Sequence, residues 1–276
     1  MKSIRWRIFA LSCALLSMTI LFAMYPAYNM ASPSVEAIRA RIRDEGVIIH
    51  AGGCLKTHNG EVVSYTNSYD ALLNMYNLGH RICEIDIGET SDGVLICAHS
   101  IDGYLTIGSD LPVTATSQEF LDERIFGEFE PMTVDMLAAF MREHEDLLIV
   151  TDVKDSNEVV CQKIATDYPD LTDRFIIQVY HNSEYDQIRS LGFPYIIYTF
   201  YRATDEEYNF WNLKRFAEQH ELIGMTFNAL HYTSPVRRYA MARAGVPLMF
   251  HTLNDPNEIA QFQRGINVVA VYTDIV

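Results

Sequence analysis

Positive charge is scarce in this sequence. Lysine and arginine total 21 against 36 aspartates and glutamates, for a formal net charge of −15. Phosphate backbones select basic faces, so the balance excludes nucleic acid as a partner. An acidic protein that handles a phosphate needs a metal ion or a local cationic cluster to do so. Cysteine is also sparse: five in 276 residues, with no C-x-x-C pair, which argues against a zinc site of that kind. Cys83 and Cys97 sit on strand-like runs joined by a turn, and either a disulfide or two buried thiols satisfies that pattern. Internal repeats and low-complexity tracts are missing, and at 49% hydrophobic and 21% charged residues the composition is that of a folded globular protein.

Acidic residues are absent from the first 35 positions. That segment opens with Lys2, Arg5 and Arg7 and continues into a mostly apolar run over 8–25, close to the ~20 residues a bilayer-spanning helix requires. The positive flank predicts a cytoplasmic N-terminus and an exported C-terminal domain. No A-x-A site follows cleanly, which favours an uncleaved anchor over a secreted form released by signal cleavage. The expected organisation is an N-terminal membrane segment over 1–35 and one domain over 36–276. Three of the 21 basic residues lie in the first part, which leaves the domain with 18 against 36 acids.

Within 36–276, apolar β-like runs alternate with amphipathic helical ones. Strand candidates are 47–52, 82–87, 94–99, 147–153, 175–180, 195–200, 223–228, 247–252 and 267–272. Helical patterns such as TVDMLAAFMREHE, NEVVCQKIATDY and PVRRYAMARAG fall between them, several starting at Ser, Thr or Asp. Nine strands is one too many for an eight-stranded barrel. Only ETSDG separates 82–87 from 94–99, and a parallel crossover needs a dozen or more residues. The run 94–99 therefore folds back as a hairpin arm. The remaining eight predict an α/β fold, a (β/α)8 TIM barrel with a hairpin after strand 2, preceded by an N-terminal hydrophobic helix. The stretch 100–133 lacks one clear period and is expected to be an elaborated loop beside the site.

In such barrels chemistry gathers where the strands end. His50 closes strand 1 in HAGG, where Gly52 and Gly53 allow a ligand near the backbone. Glu84 and Asp86 end strand 2, two apart and so on one face. Asp152 and Lys154 repeat that spacing on strand 3, and His99 returns on the hairpin arm. Three hard oxygen ligands (Glu84, Asp86, Asp152) suit Ca2+ or Mg2+ better than zinc. Two flanking histidines suit acid and base roles in phosphoryl chemistry, with Lys154 a fixed charge for a phosphate oxygen. Gln178, Tyr180 and His251 are candidates for contact with substrate. Tyr198, Phe200, Phe227 and Trp211 are assigned to the core.

At these residues the chain resembles the glycerophosphodiester phosphodiesterase family, within the phospholipase C-like phosphodiesterase superfamily. The matching pieces run in order: HAGG, TNS before a helix, EID, TSDG, His99, TDVKD, IIQVY, HTLND and the terminal VYTDIV. The resemblance implies a (β/α)8 barrel and a divalent cation on the Glu-x-Asp pair and a third acid. It implies two catalytic histidines, matched by His50 and His99; Asn67 matches the family's asparagine at the first helix and, like Gly52, is expected to contact substrate, and Lys154 matches its site lysine. Asp274 resembles the closing Thr-Asp and is expected to fix the last turn of the barrel. Three departures stand out: Ser100 where the family has Asp after the second histidine, Asp152 where many relatives have Glu, and Tyr65-Thr66-Asn67-Ser68 in place of Pro-Glu-Asn-Thr. The function implied is metal-dependent hydrolysis of a small glycerophosphodiester. Its rivals are a membrane-acting phospholipase C or D-like phosphodiesterase and a non-catalytic ligand-binding relative.

Overall fold

A computed structural model of the chain describes residues 31–207, 209–229 and 245–275. The apolar run over 8–25 and nearly all of the helical pattern at 235–245 lie outside the described residues. Among the described residues, no helix is long and apolar enough to cross a membrane.

The chain enters through helix α1 (Pro33–Glu45), started by a Ser32 side-chain cap with proline at its first position and stopped by Gly46 at φ +71°. Eight strands follow in one closed parallel sheet: β1 (Val47–Ile49), β4 (Ile82–Glu89), β7 (Leu148–Val153), β8 (Phe175–Val179), β9 (Tyr195–Thr199), β10 (Gly224–Asn228), β11 (Leu248–His251) and β12 (Val268–Thr273). Between β1 and β4, the short β2 (Leu55–Lys56) and β3 (Val62–Val63) pair antiparallel in a sheet of their own. The ring closes where Ile49 of β1 pairs with Cys83 of β4 and Val47 with Val271 of β12. These strands are runs of Ile, Val, Leu and Phe because both faces are covered, by the barrel interior within and by helices outside. The outer layer includes α2 (Tyr69–Asn77), α4 (Val134–Glu143), α5 (Asn157–Asp167), α6 (Glu184–Ser190), α7 (Phe210–Gln219) and α8 (Pro256–Gln263). Four of the helices, α2, α4, α7 and α8, begin on a Ser, Thr, Asn or Asp side-chain cap. Tyr198, Phe200 and Phe227 lie in the core as expected, but Trp211 does not, being 61% exposed on α7.

The floor of the barrel is closed by α1. Its Val35, Ile38 and Ile42 pack on Ile48, Ile82, Leu148, Ile176 and Met249 from the strands. Arg39, 4% exposed, donates through its guanidinium to the carbonyl of Leu222 and pins the helix there.

The run after β4 is an antiparallel arm. In β5 (Leu95–Cys97), Cys97 pairs with Ile87 and Leu95 with Glu89. The turn is built by Thr90, whose hydroxyl donates to Asp92 at 2.7 Å, and by Gly93 at φ +86°. Cys97 faces Ile87, four residues along from Cys83, and both thiols are free and buried, so the disulfide reading is set aside. Beyond the arm, Leu105, Ala115 and Phe120 pack under Ile96 and Ala98, which anchors the long 100–133 segment to the hairpin. That segment includes helix α3 (Ser117–Asp122), opened by a Thr116–Glu119 capping box. It ends in β6 (Met132–Thr133), paired antiparallel to β5.

Candidate functional site

Asp86 and Asp152 are register partners on the neighbouring strands β4 and β7. Glu84 shares a face with Asp86 two residues earlier, and ligand oxygens of all three lie within 4.8 Å of one another. Each acid is held differently. Glu84 accepts the Ala51 N–H at 2.9 Å through Oε2, and its Oε1 is buried with no hydrogen-bond partner. Asp86 accepts from Asn67 Nδ2 at 2.9 Å and from Lys154 Nζ at 2.6 Å. Asp152 accepts from Lys154 Nζ and Tyr201 OH at 2.8 Å each, and from Tyr180 OH.

Electrostatics follow from this packing. Burial, followed by the charge on Asp86, pushes the Glu84 carboxyl up to about 8. Burial also opposes charge on Asp152, but Lys154 and the two tyrosine hydroxyls outweigh it and hold that carboxyl below its usual range. Burial would lower the Lys154 ammonium, and Asp86 and Asp152 instead raise it.

A divalent cation fits this donor set. Three hard oxygen groups converge, and the orphaned buried Oε1 of Glu84 lacks the partner that a buried carboxylate oxygen requires. Lys154 sits against the other two acids and balances part of their charge.

His50 starts a single turn of 3-10 helix (His50–Gly52) where β1 ends. Its Nδ1 lies 2.7 Å from Asp274 Oδ1 and its Nε2 3.8 Å from Glu84 Oε2. Asp274 is itself held: Asn254 Nδ2 donates to its Oδ2 at 2.6 Å, and its N–H donates to Asn254 Oδ1 at 2.9 Å. Burial works to lower the His50 imidazolium, but Glu84, Asp274 and Asp86 lift it to about 9. His99 stands across the mouth, its Nδ1 3.1 Å from the carbonyl of Ser100. Tyr65 lies between the two imidazoles, its ring centroid 4.4 Å from that of His50 and 5.7 Å from that of His99.

A cavity of about 420 Å3 opens over this cluster and brings together His50, Glu84, His99, Asp152, Lys154, Gln178 and His251. Gln178 is only 4% exposed, and its side-chain amide has no protein partner among the described residues. Its free donors and acceptor face the cavity. His251 hydrogen-bonds Thr226 at 3.0 Å, and burial together with the charge on His50 lowers its imidazole to about 4.

Three residues expected at the substrate lie behind the cavity wall instead. Asn67 is fully buried, with Nδ2 on Asp86 Oδ2 and Oδ1 accepting the Asp86 N–H at 3.0 Å. Tyr180 places its hydroxyl between Asp152 and the Val153 N–H. Gly52, at φ +82°, turns its Cα toward α2: an added Cβ would meet Ala71 Cβ at 2.9 Å. The close approach that HAGG permits at Gly52 is therefore to a helix and not to a ligand. Gly52→Ala is expected to cost about 2 kcal/mol through overpacking and left-handed strain, read as a lower urea midpoint. An unchanged midpoint would refute that account.

Asp274 does more than close the barrel, because it orients His50. Tyr65 and Tyr201 line the cavity as well, although no sequence pattern marks them. Tyr65 lies in the left-handed region at φ +64°. Nothing in a single sequence marks that turn, although the aromatic at this position was visible as a departure.

No family model matches the chain, and no curated protein does. Solved structures do match. A glycerophosphoryl diester phosphodiesterase from Parabacteroides distasonis superposes with a TM-score of 0.63 at 17% identity, over 89% of each chain. A glycerophosphodiester phosphodiesterase from Thermotoga maritima gives 0.61 at 16%, covering 83% of this chain and 94% of that one. A phosphodiesterase from Oleispira antarctica, solved with the product sn-glycerol-3-phosphate, gives 0.61 at 15%, over 83% and 92%. The barrel has the glycerophosphodiester phosphodiesterase fold. In that fold the acid cluster and His50 lie toward the C-terminal ends of the strands, where TIM barrels carry their sites, and His99 follows the β5 arm.

Proposed function

We propose that this protein hydrolyses glycerophosphodiesters at the mouth of the barrel, with a divalent cation, Ca2+ or Mg2+, held by Glu84, Asp86 and Asp152. The observation that carries this reading is the convergence of three buried acids, one with an unpartnered oxygen, beside two imidazoles that line the same cavity. A bound cation supplies charge neutralisation at the phosphoryl oxygens. His50 and His99 manage the proton: one removes it from the attacking hydroxyl or water, and the other delivers it to the leaving oxygen. Asp274 orients His50 through Nδ1. Lys154 binds the acids and offers charge toward a phosphoryl oxygen, and Gln178 presents its amide to the substrate. Tyr65 packs edge-on against both imidazoles and helps fix their positions.

We further propose that the domain is held outside the cell membrane by the segment over 1–35, on the strength of its positive flank and apolar run. A screen of divalent cations over a panel of glycerophosphodiesters tests the activity. Release of glycerol phosphate that stops on thorough chelation and returns with Ca2+ or Mg2+ is the expected result. Hydrolysis that survives chelation refutes the cation role, and no hydrolysis with any cation refutes the enzyme.

A further inference from the structure

Next to Tyr201, which lines the cavity, stands a cation with no acidic partner among the described residues. Arg202 follows Tyr201 just past β9 and is exposed. Its guanidinium carbon lies 4.5 Å from the ring centroid of Tyr180 and 5.2 Å from that of Tyr201. Both phenol hydroxyls end on the same oxygen of Asp152, so the guanidinium stands one aromatic ring away from the acid cluster. Among the described residues Arg202 makes no ion pair, so its charge is available to a ligand. Lys154, the other fixed cation here, is already engaged by Asp86 and Asp152.

Packing against two rings holds the guanidinium in place, and its planar fork matches carboxylate or phosphate oxygens. Its positive charge repels a quaternary ammonium at the same place. A substrate phosphoryl group held between His50, His99 and Lys154 would direct its leaving alcohol outward past Tyr201.

We propose that Arg202, carried on Tyr180 and Tyr201, forms an anion subsite that selects glycerophosphodiesters whose leaving alcohol bears a second anionic group and disfavours choline. The inference rests on the proposed diesterase activity and names its substrate class. The chemistry shared by the candidate groups is an oxyanion, either a carboxylate or a phosphate.

Four diesters of glycerol phosphate test it, with glycerol, glycerate, glycerol phosphate or choline as the leaving alcohol. The wild type is expected to favour the glycerate or glycerol phosphate diester over the glycerol diester by about tenfold in kcat/KM, the size of one charge-assisted hydrogen bond. The preference should lie in KM and weaken with added salt. Which of the two anionic diesters leads identifies the oxyanion. Arg202→Gln should erase the ratio of anionic to neutral substrate, and Arg202→Lys should restore part of it. A wild type that prefers choline, or an Arg202→Gln variant that keeps the wild-type ratio, overturns the subsite. Hydrolysis of the glycerol diester separates the two failures: if it too is absent, the diesterase reading fails first.

Discussion

Glu84→Gln is expected to abolish high-affinity binding of Ca2+ or Mg2+ and to lower turnover about a thousandfold, since several kcal/mol of charge stabilisation are lost and each tenfold is about 1.4 kcal/mol. The substitution is nearly isosteric. Glutamine can still accept the Ala51 N–H through its amide oxygen, so the 3-10 turn that carries His50 keeps its support. The change falls on the other atom. Where Glu84 Oε1 lies buried without a partner, glutamine presents an N–H2, a donor where a cation requires an acceptor. Calorimetric titration with cation in two buffers of different ionisation enthalpy gives a second readout. Because the Glu84 carboxyl is raised to about 8, the cation-free site retains a proton at neutral pH and gives it up on binding. Proton release should be larger at pH 7 than at pH 9 in the wild type and absent in the variant. Wild-type cation affinity in Glu84→Gln would remove this acid from the ligand set.

Asp274→Asn is expected to lower kcat by about 10²–10⁴-fold with little change in KM, the range seen when an imidazole loses its orienting carboxylate. Asparagine preserves size but can turn its amide N–H2 toward His50 Nδ1, which favours the wrong tautomer. It also removes the anion that helps lift the His50 imidazolium. Asp274 touches no substrate in this geometry and acts through His50, so it is a positioning residue. Two readouts separate that role from simple loss of fold. The pH–rate profile should lose the limb set by His50, and cation affinity should stay near the wild-type value because Asp274 lies outside the acid cluster. His50→Ala should lose activity to a similar degree, and the double variant should be no worse than His50→Ala alone. Additive losses would show that Asp274 works by another route.

Much of this architecture could be read from residue order. Eight apolar runs, with the ninth excluded by a five-residue connection too short for a crossover, suffice for the barrel. Glu84 and Asp86 were legible as a pair because a strand alternates its faces with period two, and Asp152-x-Lys154 repeats that rule on the next strand. What stayed hidden depends on long closures. The His50–Asp274 contact spans 224 positions, and its support by Asn254 appears only when β12 and the loop after β11 meet. Tyr201 reaches Asp152 across two strands of the sheet, which no local period encodes. Gly52 shows the opposite difficulty. A glycine beside a histidine suits a close ligand and a close helix equally well, and only the position of Ala71 decides between them.

The closed floor has a kinetic consequence. With α1 covering the N-terminal end, the described cavity opens where the strands end. In the proposed reaction the phosphorylated product, seated among the acids, occupies the place of the next substrate, so glycerol phosphate should inhibit competitively.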